Sequence, residues 1–127
     1  MNHIHKNQVN RIIIVLRPKS PFLTWISSVE PDIALTLDEL RDEQDAMLLS
    51  LSDIETIQGA KNWAYHNWEM LFDKSLFDWY TDEKYWPESR DLALFKDWFD
   101  IEWHPVVWDL SRGSLQTVTN SHCPDRI

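Results

Sequence analysis

The segment RIIIVLR, residues 11–17, carries the clearest strand pattern of the chain. It contains four β-branched residues in a row, and Pro18 closes it. A short continuous apolar run with such a boundary is typical of a β-strand that is buried on both faces. We therefore predict a buried strand here and assign the other elements outward from it.

The residues that follow this strand predict helices and then a second strand. Residues 21–29 suit a short helix with Pro21 in its first turn, which ends before Pro31. Residues 46–52, AMLLSLS, predict the second strand. This β-α-β order favours a right-handed crossover between parallel strands, with the helices packed against the sheet.

The capping-box pattern, in which a glutamate follows a hydroxyl residue by three positions, predicts two of the helix starts. At residues 36–39 it predicts a brief helical turn, and at residues 52–55 it predicts the start of the longest helix. Apolar residues spaced by three and four continue this longest helix to about Tyr80, with a break near Lys74 and Ser75.

The last helix and the last strand fall within residues 89–110. Ser89 is the expected N-cap of the helix. The segment IEWHPVVWDL, residues 101–110, predicts the strand, but its apolar residues stand at odd positions before Pro105 and at even positions after it. Because a strand has a period of two, we predict a bulge at His104 and Pro105 in an edge or interrupted strand.

Together these elements predict an α+β fold in the order β-α-(α)-β-α-α-β, with helices packed against a small sheet of about three strands. The pattern leaves the direction of the third strand open. We assign residues 1–10 to a flexible N-terminus, residues 11–110 to a single globular domain, and residues 111–127 to a polar C-terminal tail.

Composition restricts the classes of partner and the compartment. The chain has 127 residues, a formal net charge of −9 and only two glycines. The negative charge repels phosphate backbones and anionic membranes, so we expect neither nucleic acid nor a membrane as partner. Few glycines argue against a nucleotide-binding loop. A single cysteine, Cys123, and no recognisable signal-peptide core indicate a cytoplasmic protein.

The chain is rich in tryptophan, with eight residues. Trp68 and Trp98 fall on helix faces shared with leucine and phenylalanine, and we expect both in the core, with Phe99 beside Trp98. The orientation of four others stays open, because helix or strand parity can turn one or two of them outward: Trp63, Trp86, Trp103 and Trp108.

The histidines do not form a recognisable metal-binding motif. His3 and His5 alternate near the N-terminus, and His66 has no acid or histidine four residues later. Glu102 and His104 would share one face of a strand, but no further ligand spacing accompanies them. We therefore predict no metal and no cofactor.

Three polar residues among apolar ones are the candidates for catalysis. In one interpretation, His104 and Asp109 transfer protons in a small hydrolase or lyase, and Arg90 binds an anion. In the other, Arg90 forms a structural bidentate pair with Asp109. Because HExxH, CxxC and GxSxG spacings are absent from the sequence, the non-catalytic interpretation is favoured.

Two segments resemble a family of short uncharacterised bacterial proteins: residues 11–26, RIIIVLRPKSPFLTWI, and residues 79–110. The family block reads W-P-x-x-R … F-x-x-W-F-x-I-x-x-H-x-x-V-x-D-L. The matching positions in this chain are Trp86, Pro87, Arg90, Phe95, Trp98, Phe99, Ile101, His104, Val107, Asp109 and Leu110. The resemblance implies no known activity, but it draws attention to Arg17 and Lys19 as well as to the three candidates above.

The excess of tryptophan, the negative charge and the absence of catalytic spacings favour a small acidic protein–protein interaction module. Its expected partner is another protein or a second copy of the chain. Two alternatives stay open at this point: the hydrolase or lyase described above, and an inhibitor that mimics nucleic acid with a strip of carboxylates.

Overall fold

A computed structural model describes residues 7–50 and 54–118 of the chain. Its strands are β1 (Asn7–Gln8), β2 (Arg11–Pro18), β3 (Ala46–Ser50), β4 (Phe99–His104) and β5 (Trp108–Asp109). Its helices are α1 (Ser20–Val29), α2 (Leu37–Arg41), α3 (Ile57–His66), α4 (Trp68–Trp79) and α5 (Leu92–Trp98), with a short 3-10 turn at Glu83–Tyr85. The predicted α+β class, with a three-stranded sheet and helices packed against it, is confirmed.

The main sheet has the order β3-β2-β4, and both outer strands run antiparallel to β2. The predicted parallel crossover is therefore wrong. The chain leaves β2, forms α1 and α2, and returns to the same end of the sheet, where Ala46 pairs with Val15. The connection is thus a long hairpin loop that contains two helices. The local sequence pattern of such a connection is the same as that of a crossover between parallel strands.

The helices cover one face of the sheet. The even-numbered residues Ile12, Ile14 and Leu16 of β2 face this layer and are at most 3% exposed. The opposite face of β2 carries Ile13 and Val15, which lie outside the helix-covered core. The prediction of a strand covered on both faces is therefore wrong, although neighbouring side chains bury Val15 as well.

Aromatic rings form the centre of the core between the helices and the sheet. Phe22 lies edge-on to Trp25, Trp98 and Phe99, with ring centroids 5.2–5.7 Å apart. Phe72 of α4 contacts Trp98 at 5.3 Å. The predicted burial of Trp98 and Phe99 is confirmed, at 8% and 4% exposure. Trp98 ends α5, whereas Phe99 begins β4.

The capping box at residues 36–39 is confirmed, since the Thr36 hydroxyl accepts from the Glu39 amide and the Glu39 carboxylate accepts from the Thr36 amide. The long helix differs from the prediction. It begins at Ile57 behind an N-cap at Thr56, later than residues 52–55, of which residues 52 and 53 lie outside the described ranges.

The break in the long helix falls at Asn67 rather than near Lys74 and Ser75, which lie inside α4. The Asn67 side chain donates to the Trp63 carbonyl at 2.9 Å, which satisfies the end of α3. The N-cap of α5 is Asp91 rather than Ser89, because the Asp91 carboxylate accepts from the amide three residues later at 2.8 Å.

The ladder of β2 and β4 ends at the pair Ile13–His104, and pairing resumes between β1 and β5 at Gln8–Trp108. Between these two pairs, the chain from β1 to β2 has four residues, 9–12. The chain from β4 to β5 has only three, 105–107. The extra residue therefore lies in the strand opposite Pro105. The prediction of a bulge in the third strand is wrong, although the interruption at this proline is real.

The ends of the described chain are partly ordered by β1 and β5. Residues 7 and 8, which we assigned to the flexible N-terminus, pair with Asp109 and Trp108. Residues 111–118 form no helix or strand and are exposed. His3, His5 and Cys123 lie outside the described residues.

Candidate functional site: the open face and the free edge of the sheet

The sheet face that the helices leave open is divided into an apolar half and a charged half. Strand register sets the rows across it as Leu48–Ile13–His104 and Ala46–Val15–Glu102. The half formed by β3 and β2 is aliphatic along these rows, and Leu48 is 46% exposed. The half formed by β4 carries acids and a histidine. The apolar half therefore exposes Leu48 to solvent, whereas Val15 in the same half is buried.

Ion pairs occupy the charged half. Arg17 Nη1 donates to Glu102 Oε1 at 3.0 Å, and His104 Nε2 lies 3.5 Å from Glu102 Oε2. Lys19 Nζ lies 3.7 Å from Asp100 Oδ1. All five side chains are at least one-third exposed, so these pairs contribute little stability each, about 0–1 kcal/mol. Their effect is to balance charge locally on this half.

Among the described residues, no strand pairs with the outer edge of β3. The Leu16 amide donates to the Asp45 carbonyl at 3.2 Å, at the start of β3. Because bonded and non-bonded pairs alternate along an antiparallel ladder, every second residue of β3 bonds to β2. The backbone groups of Ala46 and Leu48 therefore point away from the sheet, and no residue in the described ranges bonds to them.

The two edges of the sheet differ in their protection against strand pairing. The edge formed by β4 carries Asp100 and Glu102 and is followed by Pro105. Charged residues and proline on an edge prevent another strand from adding to it. The edge formed by β3, AMLLS, contains neither a charge nor a proline. This edge is thus the open one.

Arg90 bonds to neither of the other two candidates, His104 and Asp109. Its Nε atom lies 3.4 Å from Oδ1 of Asp73 in α4, and its guanidinium covers the Trp86 ring, 5.2 Å from the centroid. It also donates to the Pro87 carbonyl at 3.4 Å. The predicted bidentate pair with Asp109 is therefore wrong. Arg90 thus links the segment before α5 to α4 through these contacts.

The other two catalytic candidates lie in different sheets. His104 ends β4 on the open face, with its side chain 55% exposed. Asp109 lies in β5, where its carboxylate accepts from the Ser111 amide at 2.9 Å. Within residues 7–50 and 54–118, no hydrogen bond or ion pair joins any two of Arg90, His104 and Asp109.

A small cavity beside the start of β3 is lined by two carboxylates, Asp45 and Asp78. Its volume is about 50 Å³, roughly the space of a few water molecules. Its lining includes the apolar side chains of Leu40 and Trp79 and the polar side chains of Asp45, Ser75 and Asp78. The size fits solvent rather than an organic substrate.

Lys74 joins the two carboxylates that line this cavity. Its Nζ atom lies 2.7 Å from Asp78 and 3.2 Å from Asp45. Burial raises the pKa of Asp45, more than the nearby ammonium lowers it, and the Asp78 charge raises it further. Burial lowers the pKa of Lys74, but the bond to Asp78 and the Asp45 charge outweigh this effect and raise it. Asp45, Lys74 and Asp78 thus form a cluster of two carboxylates and one ammonium group.

Neither a metal centre nor a membrane segment is found in the described part of the chain. No group of three or more histidine, cysteine, aspartate or glutamate side chains there is arranged to hold a metal ion. No helix among the described residues is long and apolar enough to cross a bilayer.

Comparisons with known proteins gave no match: no family model, no curated protein and no solved structure is significantly similar to this chain. The resemblance to a family of short bacterial proteins therefore stays a prediction.

Sequence reasoning did not identify the free edge of β3. The signal was present, because residues 46–50 contain no charged residue and no proline. It could not be interpreted without the sheet order, since the same composition also suits a central strand. Trp108, one of the tryptophans whose orientation was open, is turned outward and 52% exposed, whereas Trp68 is only partly buried.

Proposed function

We propose that this protein is a protein–protein interaction module that binds an extended segment of its partner along the free edge of β3. The observation that carries the proposal is the edge itself: a neutral strand with outward backbone groups at Ala46 and Leu48 and a half-exposed leucine side chain. Addition of a strand to such an edge gives affinity through backbone hydrogen bonds and specificity through alternate side chains.

The open face beside this edge adds apolar area to the contact. A bound strand would place side chains next to Leu48 and Ala46, in line with Ile13 and Val15. Burial of the exposed part of a leucine contributes about 1 kcal/mol, and the hydrogen bonds contribute further. The expected affinity is that of a transient contact, since the surface is small.

The two alternative functions lack comparable support. A hydrolase or lyase would need Arg90 near His104 and Asp109, but Arg90 is bound to Asp73 and Trp86. A nucleic-acid mimic needs a strip of free carboxylates, and many acids here lie within 4 Å of a lysine or arginine: Asp45, Asp73, Asp78, Asp82, Asp100 and Glu102. We place the module in the cytoplasm, because one cysteine allows no intramolecular disulfide.

Selection from a peptide library displayed on phage tests the proposal. We expect the wild-type protein to enrich extended, apolar peptides. Bound peptide should slow amide hydrogen exchange at Ala46 and Leu48, because their N–H groups gain a partner. The Leu48→Lys variant places a charge on the edge and should lose these ligands.

Val106→Lys is the matched control, since Val106 is 56% exposed and lies outside the β3 edge. It should retain the ligands of the wild-type protein. The proposal fails if enriched peptides bind Leu48→Lys as well as wild type, or if they leave the exchange of the Leu48 amide unchanged.

A further inference from the structure

We infer that the strand added to β3 is β3 of a second copy of this chain, in an antiparallel pair centred on Leu48. This inference rests on the proposed function, because it names the occupant of the same edge. It predicts a symmetric dimer whose sheet runs without interruption through six strands, three from each copy.

The residues of β3 have the same order of side-chain sizes when the strand is read in either direction. With Leu48 opposite Leu48 of the second copy, Ala46 faces Ser50 and Met47 faces Leu49. All five residues of the strand then overlap, small residues meet small ones, and large aliphatic residues meet each other. Such cross-strand pairs are the unit of sheet stabilisation. A shift of this register leaves residues at the strand ends without a counterpart.

The direction of the backbone groups fits this register. Leu48 belongs to the residues whose N–H and C=O point away from β2. The two Leu48 residues can therefore exchange both hydrogen bonds across the symmetry axis. On the open face the row then reads Ile13–Leu48–Leu48–Ile13, a continuous aliphatic row that covers the exposed part of both leucines.

Electrostatics permit this pairing at the strand although both copies are acidic. The strand has no charged side chain, so no like charges face each other across the axis. The carboxylate next to it, Asp45, lies 3.2 Å from Lys74. The net charge of −9 on each copy acts over a longer range, where salt screens it. A dimer of this kind should therefore form more readily as ionic strength rises.

Sedimentation velocity between about 5 and about 500 μM tests the inference, a range that suits an interface smaller than the standard size. We expect the wild-type chain to shift from monomer to dimer within this range, and the fraction of dimer to increase with salt. Leu48→Lys should stay monomeric, and Val106→Lys should behave as the wild type does.

Hydrogen exchange of the wild-type protein at low and high concentration gives a readout that needs no variant. Amides of Ala46 and Leu48 should become protected as the dimer forms, whereas Met47 and Leu49 should be protected at both concentrations. A chain that stays monomeric throughout, or a dimer in which the Leu48 amide exchanges as fast as in the monomer, overturns the inference. If library peptides still protect Leu48 in a monomeric chain, the proposed function stands without the second copy.

Discussion

The guanidinium of Arg90 joins Asp73 to Trp86, with its Nε atom 3.4 Å from the Asp73 carboxylate and its carbon atom 5.2 Å from the centre of the indole ring. Both the Nε and the Oδ1 atoms are shielded from solvent, but their orientation is too poor for a hydrogen bond. The guanidinium therefore forms an ion pair with Asp73 and stacks on the Trp86 ring. It connects a loop to a helix.

Replacement of Arg90 by alanine should lower the free energy of unfolding by about 1–3 kcal/mol, because it leaves the shielded Asp73 oxygen without a cation. Arg90→Lys should recover only part of this loss, since an ammonium cannot stack as a planar guanidinium does. Denaturant melts measure both effects. Arg112→Ala, in the exposed segment 111–118, is the control and should change stability by less than about 0.5 kcal/mol.

Asn67 should stabilise the junction between α3 and α4. Its side chain donates to the Trp63 carbonyl at 2.9 Å, and its own carbonyl accepts the first bond of α4 from Leu71. We expect Asn67→Ala to cost about 1 kcal/mol through the lost side-chain bond. Asn62→Ala, on the exposed face of α3, should cost less than about 0.5 kcal/mol. Equal melting curves for the two variants would contradict this role of Asn67.

The sequence predicted elements whose causes are local. The β-branched run identified β2, and the hydroxyl–glutamate spacing identified the start of α2. The sequence did not predict features for which two residues carry equally good local signals. Both Ser89 and Asp91 are good N-caps, and only the path of the chain into α5 decides between them. The antiparallel return of β3 is likewise a property of the whole connection and not of any residue in it.

The candidate site was less predictable than the fold. Arg17, Lys19 and His104 were recognised as polar residues among apolar ones, and the structure brings them together on the open face with Glu102 and Asp100. Arg90 and Asp109 were recognised in the same way but lie elsewhere. A polar residue in an apolar stretch indicates a specific partner, whereas long-range packing determines which partner it is.

Asp45 should make stability depend on pH in an unusual direction for a carboxylate. Burial raises its pKa above the ordinary value of 3.8, so the folded state binds this proton more tightly than the unfolded state. The contribution is therefore present at low pH and is lost as pH rises from about 3.8 through the raised pKa. Most acids with a favourable partner behave in the opposite way.

The Asp45→Asn variant tests this pH dependence. Relative to the variant, wild-type protein should lose stability as pH rises from about 3 to about 7, because only the wild type must ionise a carboxyl in this position. At neutral pH the two should differ by no more than about 1 kcal/mol, since Lys74 retains Asp78 at 2.7 Å in the variant. Asp97→Asn controls for the change in net charge. A stability difference that does not vary with pH would contradict the expected role of Asp45.

Trp98 should be the most sensitive position of the aromatic core. It is 8% exposed and contacts Phe22, Trp25 and Phe72 with ring centroids 5.3–5.8 Å apart, so its removal leaves a cavity lined by three rings. Trp98→Ala should cost roughly 3–5 kcal/mol, a large part of the stability of a small domain. Asp97→Ala, an exposed position on the same helix, should cost less than about 0.5 kcal/mol. Denaturant melts distinguish these outcomes. A Trp98→Ala protein that keeps the stability of the wild type but loses association in sedimentation would show that this tryptophan acts at a binding surface, and it would move the proposed contact away from the edge of β3.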